Sequence, residues 1–541
     1  MAEKKGHKPG SIRDELAEVD SEIMRLLARR CDLFDRHLQQ RRAKSQSLSD
    51  PEMEKGLWQV WQKESRGSGL DERLLRRAFQ LLNGLAYDRT ERPPEKEFLL
   101  RPSPEPASVD LEGPRDRQLT RMWLALGAAS GGALRLERPV MNDALFELLR
   151  AFQQLGAGIS WDSAAVWTES GQAADFNGKS VYVGGDALNL YLLVFMAALE
   201  PGSCKLTGST RARLADLGPL FELLPRLGAR GVSILPENKG LPMRLESSAN
   251  PEEEIVLPER APTELGLALV LSCGFFLTAK RGIRISWNTG KGWRRALEPA
   301  CEVLAACGTD FVLESGSLSL SPGKGELPSQ PELSLDPELG AYLLALPRFL
   351  GGRTRLAGAF AEGSSGREAA VRILKAFDIA LEEADGAVVA RADEPSEEEV
   401  ALDLLRADWA VPLAVALALG AGGGSLHLPP GNRFDFAIEA ARDLGAEFSS
   451  QGELLRIASR PANSGERLEL ASPDSGWSMA LALIALVRPG IVLRNPGELR
   501  GDWPDFWTIY NGLPRPQDAF AARQEKGRKG HGSKRRRYIV E

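Results

Sequence analysis

From about Asp110 to Leu513 the chain repeats one pattern six times, at intervals of roughly 70 residues. An apolar, helix-like run ends in a glycine turn, a short apolar strand follows, and an amphipathic run closes on Leu-Gly-Ala or a near equivalent. The turns fall at Gly131-Gly132, Pro201-Gly202, Gly282, Gly351-Gly352, Gly422-Gly423-Gly424 and Pro489-Gly490. The closures fall at Leu155-Gly156-Ala157, Leu227-Gly228-Ala229, Cys307-Gly308, Phe377-Asp378, Leu444-Gly445-Ala446 and Asn511-Gly512. Such a period restricts the chain to a few architectures, all of them built from repeated α/β units.

Residues 11–88 lack this period and read as all-helical. Ser11 is placed to cap a helix carrying Ile12, Leu16, Val19, Ile23, Leu26 and Leu27 at helical spacing. Asp50 and Pro51 suit the N-cap and first position of a second helix, which Gly67-Ser68-Gly69 ends. Leu70 to Tyr87 makes a third. Three helices in 78 residues expose more apolar surface than they can bury alone, so a homodimer through this segment is expected. Residues 89–106, rich in proline and charge, read as a linker. Residues 516–541 read as a basic, disordered tail, in which Lys534-Arg535-Arg536-Arg537 is the only stretch suited to an acidic partner or nucleic acid.

Chemistry is constrained by what is scarce. There are only four histidines among 541 residues, two of them in the tails, which argues against a histidine metal site or a Ser-His-Asp triad. The five cysteines have neither metal nor disulfide spacing and suit reduced thiols in the cytoplasm. A net charge of −6 gives no bulk affinity for nucleic acid. The apolar run Leu265–Leu277 is too short to span a bilayer and reads as a buried helix, and no membrane role is expected. No G-x-G-x-x-G or P-loop follows a strand, so nucleotide binding is not supported and no cofactor is expected.

The repeat order, turns and closures resemble those of the 5-enolpyruvylshikimate-3-phosphate (EPSP) synthase family. Behind the all-α N-terminal domain, the resemblance implies an α/β two-domain enolpyruvyl transferase fold, with three βαβ-type repeats per domain. One domain would comprise residues 107–117 with 330–515, the other 118–329. It further implies carboxyvinyl transfer from phosphoenolpyruvate to shikimate 3-phosphate in a cleft lined by helix N-termini and cations, which suit anionic metabolites. The family's Pro-Gly-Ser-Lys-Ser motif falls on Gly113 to Arg117, with Asp116 at the lysine and the following arginine kept as Arg121. Tyr191 stands where an arginine follows the Gly184-Gly185-Asp186 loop. Arg213 is kept ahead of Ala215-Asp216, where an Arg-Pro pair is usual. Pro262-Thr263-Glu264 replaces Ser-Ser-Gln. Arg433 alone survives of Lys-Glu-Ser-Asp-Arg, Gly476 replaces the arginine of Asp-His-Arg, and Gly501 replaces the last lysine. Asp336 matches the proton-shuttling aspartate, although capping the helix that starts at Pro337 would also account for it.

Residues 11–88 resemble the all-helical chorismate mutases. Arg13 and Arg30 match the family's carboxylate-binding arginines, Arg41 stands for a usual lysine, and Asp50 and Glu54 match acidic site positions. Met53 replaces an arginine, and Ala86 and Thr90 fall at the late Ser and Gln positions. One charge contact at 4 Å is worth about 4 kcal/mol at an effective dielectric of 20, so Lys replaced by Asp116 is a swing of about 8 kcal/mol before relaxation. Two outcomes are therefore open: an enzyme of altered activity, or a non-catalytic scaffold with a cleft lined by Asp116, Asp186, Asp216 and Glu264.

Overall fold

Where the sequence places its glycine turns, helices end and strands begin. In the computed structural model, Gly131 adopts φ +65° and closes helix Arg117–Ser130 before strand Leu134–Glu137. Gly422, at φ +91°, does the same between helix Val411–Ala421 and strand Gly424–His427. Glycine reaches this left-handed backbone without steric cost, which makes it the natural stop for a helix. The structure describes residues 12–43, 51–66, 75, 78–79, 82–83, 98–100, 107–234, 240–278, 281–288, 292–393, 400–405, 407–461 and 467–513.

The chain forms two compact units, one of residues 1–94 with 209–215 and one of residues 95–208 with 216–541. In the first, the helices are Ile12–Ala43 and Pro51–Glu64. Phe34 is buried against Cys31, Met53 and Leu57, and Phe79 packs its ring on Trp58 and Trp61 at 5.4 and 5.5 Å. Ser11, Asp50, the Gly67 to Gly69 turn and the tail at 516–541 lie outside the described residues, as does most of the third helix and of the linker.

The second unit contains six small sheets among the described residues, and four of them share one order. Strand Ser180–Tyr182 runs parallel to Gly202–Thr207, which pairs antiparallel with Met243–Ser247, itself antiparallel to Ala229–Ser233. The sheet of residues 254–320 and that of residues 401–457 repeat this arrangement. In the fourth, the parallel partners are Ala107–Glu112 and Gly352–Ala357, far apart in the chain. The remaining two sheets have three strands, and Phe98–Leu99 closes the last of them against Ile491–Leu493.

Helices fill the space between the sheets. Ala187–Ala198, Thr263–Ser272, Val411–Ala421 and Ser475–Ala485 are apolar on every side and correspondingly buried. The run expected as one buried helix from Leu265 is helical to Ser272 and continues as a π-turn over Cys273–Leu277.

The chain passes twice through one narrow place. Arg115 and Leu335 form an antiparallel bridge there. The Asp116 amide donates to Ser334 O at 2.9 Å, and the Asp336 amide donates to Pro114 O at 2.8 Å. A side chain on Gly113 would overlap Leu335, so the passage needs glycine. This pairing sets Asp116 and Asp336 side by side at the starts of two helices, and both open on the cleft described next.

Candidate functional site

A cleft of about 1110 Å³ lies within the α/β unit, and helix starts supply much of its wall. Three of these helices are capped by aspartate, and so is helix Ser475–Ala485, which lies outside the lining. Asp116 Oδ1 accepts the Gln118 and Leu119 amides at 2.8 and 2.9 Å, and Asp336 Oδ1 accepts those of Glu338 and Leu339 at 3.1 and 3.0 Å. Asp186 accepts the Asn189 amide at 3.0 Å, and Asp474 the Trp477 amide at 2.8 Å. A helix N-terminus is a natural anion site. Here the protein's own carboxylates already occupy it.

Two of the four lining arginines, Arg117 and Arg121, are spoken for by acids as well, as is Arg433 outside the lining. Arg117 donates from Nε to Asp336 Oδ2 at 2.8 Å, from Nη2 to Glu338 Oε2 at 2.7 Å, and pairs through Nη1 with Asp502 Oδ1 at 2.7 Å. Arg121 Nη1 lies 2.5 Å from Asp186 Oδ1, and its Nε donates to Arg117 O at 3.1 Å. Arg433 donates from Nε to Asp474 Oδ2 at 2.7 Å and from Nη1 to Asp408 O at 2.7 Å. Two backbone donors are taken too, Ser365 in the cleft lining and Gly185 outside it. The Gly185 amide binds Glu147 Oε2 and the Ser365 amide binds Glu298 Oε2, both at 3.0 Å.

The electrostatics follow. Burial, reinforced by the Asp336 charge, pushes Asp116 up to about 7, against two backbone hydrogen bonds that favour its ionised form. Burial likewise lifts Glu338 to about 6 despite Arg117. At Asp502 burial acts in the same direction, but Arg117 prevails and its carboxyl stays below the usual range. Burial would lower Arg117, yet its three carboxylates hold it well above the ordinary guanidinium value. In all, eight carboxylates and four guanidiniums line the cleft.

Of the residues singled out in the sequence, Arg121 and Asp336 line this cleft. Asp336 does cap the helix Pro337–Leu344, and it also receives Arg117. Arg433, expected in the cleft, is not among its lining residues; it sits at the start of helix Asn432–Asp443, on the Asp474 cap. Arg213 lies in helix Thr210–Leu214, in the segment that groups with the helical unit, and is not among the lining residues. Tyr191 is buried, its phenol pushed up to about 12 by burial, and stacks on Phe195 at 6.5 Å. Asp116 and Asp186 line the cleft, whereas Asp216 and Glu264 do not; Asp216 instead accepts the Gly218 amide at 2.9 Å. Reading the sequence missed Arg117, Glu338, Asp502, Glu147 and Glu298. The available signal was the gain of acid where the motifs expect cations.

In the helical unit, Arg30 donates from Nη1 to Leu82 O at 3.0 Å and from Nη2 to Asn83 Oδ1. Its guanidinium also lies over the rings of Phe34 and Phe79, at 5.5 and 5.9 Å. Arg13, Arg41 and Glu54 belong to helices, but their side chains lie outside the described residues, as does Asp50 altogether. No three described His, Cys, Asp or Glu side chains are placed to hold one metal ion, and no described helix is long and apolar enough to cross a membrane.

Comparison with known proteins agrees with both units. Residues 12–88 match the family model of chorismate mutase type II. A 3-phosphoshikimate 1-carboxyvinyltransferase from Bordetella petrii is 24% identical over 444 residues, covering 74% of this chain and 93% of the relative. Another, from Methanoculleus marisnigri, is 22% identical over 418 residues, covering 75% and 97%. Among solved structures, EPSP synthase from Acinetobacter baumannii superposes with a TM-score of 0.66 at 16% identity, covering 77% of this chain and 98% of that one. The enolpyruvyl transferase NikO from Streptomyces tendae gives 0.60 at 16% identity, covering 78% and 98%. The chain thus carries a chorismate mutase type II segment, followed by an α/β unit with the enolpyruvyl transferase fold and EPSP synthases as homologues.

Proposed function

We propose that this chain, a chorismate mutase type II segment joined to an enolpyruvyl transferase fold, has lost carboxyvinyl transfer in its larger unit and keeps the cleft for another purpose. The observation that carries this reading is Arg117 held by Asp336, Glu338 and Asp502. Shikimate 3-phosphate and phosphoenolpyruvate would bring several negative charges into a space where carboxylates already outnumber guanidiniums two to one. Each such encounter at 4 Å costs about 4 kcal/mol at an effective dielectric of 20. An aspartate that caps a helix and accepts an arginine is also poorly free to carry a proton between substrates, because losing either role uncovers a buried donor.

The helical segment serves, in the same reading, as the dimerising module. Ile12, Leu16, Val19, Ile23, Leu26 and Leu33 follow one another along helix Ile12–Ala43 at intervals of four, three, four, three and seven, and each is about half exposed or more. That is the spacing of a helix–helix seam, and a second copy of the same segment would cover it. A second reading, chorismate rearrangement in that module, is supported by the family match over residues 12–88 and by Arg30 at the position of a carboxylate-binding arginine.

The test is phosphate release by the purified full chain with shikimate 3-phosphate and phosphoenolpyruvate, alongside loss of chorismate absorbance in a separate assay. The expected result is no phosphate release above background from a protein that melts cooperatively. Turnover near 1 s⁻¹, within the ordinary enzyme range, would refute the loss of transfer. The chorismate assay decides the second reading on its own.

A further inference from the structure

We propose that the cleft takes a small organic cation, an amine that also carries an oxygen acceptor; this rests on the reading that carboxyvinyl transfer is lost. The first observation is the charge left over after internal pairing. Arg117 and Arg121 are neutralised by carboxylates of the cleft itself, and the other two lining guanidiniums, Arg295 and Arg372, are outnumbered by the remaining acids Asp116, Glu298, Glu302 and Asp403. Glu298 and Glu302 lie four residues apart on helix Glu298–Ala306, so they share one face, and both line the cleft. Glu298 uses one oxygen on the Ser365 amide, and Glu302 has no partner among the described residues. Burial holds Glu302 above the usual carboxylate range, a strain that an incoming cation would relieve. Trp409 lines the same space, and an indole is the side chain whose face best attracts an ammonium.

The second observation is independent of the acids. Asn142 is 4% exposed and lines the cleft. Its carboxamide oxygen caps helix Asp143–Gln154 by accepting the Leu145 amide at 2.9 Å, and no described group accepts from its Nδ2. An unpaired amide donor at the cavity wall offers a hydrogen bond to an acceptor on whatever enters. A hydroxyl or carbonyl oxygen meets that need without adding negative charge. A metal ion does not fit, because the described carboxylates are not grouped as ligands around one point. The two observations together select an amine bearing an oxygen.

The experiment compares three probes of one shape with the full chain: tyramine, its uncharged analogue 4-ethylphenol, and the anion 4-hydroxyphenylacetate. Thermal melts and calorimetric titrations at pH 7.5 read binding. Tyramine is expected to raise the melting temperature by about 2 °C or more at millimolar concentration, with the other two inert. Glu302→Gln, which removes the charge at nearly constant shape, and Asn142→Ser, which keeps a cap acceptor but removes the amide donor, should each weaken tyramine about fivefold or more. Equal or tighter binding of the anion, no response to tyramine, or a response unchanged in both variants would overturn the inference. Phosphate release from shikimate 3-phosphate and phosphoenolpyruvate would instead refute the reading beneath it. The two failures are therefore told apart.

Discussion

Arg117 donates from Nε to Oδ2 of Asp336 at 2.8 Å, while the other oxygen of that aspartate caps the helix it begins. The residue matched to a proton shuttle is thereby held from both sides. Glu338 and Asp502 complete the cage around the guanidinium, and the side chains of all four are less than a third exposed.

Removing the cation should expose the cost of that cage. Arg117→Met leaves three buried or half-buried carboxylates facing one another, and loss of one partner from a buried ion pair costs about 3–5 kcal/mol. The loss should shrink as pH falls from 7.5 to 5.5, because the unpaired acids then protonate. Urea unfolding at both pH values checks the size and the sign.

Asp116 should make the native protein less stable as pH rises. Its folded value of about 7 stands above that of an unfolded aspartate, so the folded state binds the extra proton between roughly pH 4 and 7. The stabilisation from this group is complete below the unfolded value and is lost as pH climbs through the folded one. Asp116→Asn keeps a cap acceptor and has no charge to desolvate. It should therefore be more stable than the parent at pH 8, by about 2 kcal/mol, and nearly equal to it at pH 4.5.

Gly266 should resist alanine despite lying in a helix. Alanine gains about 1 kcal/mol in propensity, but the added methyl would overlap the buried ring of Trp293. Overpacking costs about 1–3 kcal/mol, so packing should win and Gly266→Ala should lower the urea midpoint. An unchanged or raised midpoint would show that Trp293 moves aside freely.

Leu16→Lys combined with Ile23→Lys should convert a dimer into a monomer, halving the mass found by light scattering. Both side chains are exposed on helix Ile12–Ala43, so the monomer itself should stay folded. A parent chain that is already monomeric would contradict the dimer proposal.

The fold was readable in the sequence because its signals are local. Gly131 and Gly422 stop helices by their own backbone freedom, and Asp336-Pro337 opens a helix within two residues. The aspartate caps at Asp116 and Asp186 were visible as acid in motifs that expect other residues. What they hold was not visible. Arg117 finds its partners 219, 221 and 385 positions along the chain, and Glu298 reaches Ser365 across 67. Such pairings follow from how sheets and helices stack, and no periodicity encodes them. Asn142 was missed for the opposite reason, since a cap asparagine looks ordinary until the cleft beside it is known.

Arg117 and Arg121 are neutralised by acids of the cleft itself, and calorimetric titration of the full chain with shikimate 3-phosphate asks whether an anion can still bind there. The expected result is no saturable heat up to millimolar ligand, with the same blank trace for the Arg121→Met variant. Saturable binding with Kd in the micromolar range, abolished by Arg121→Met, would mean that Asp186 releases the arginine to an incoming anion and that the cleft remains an anion site.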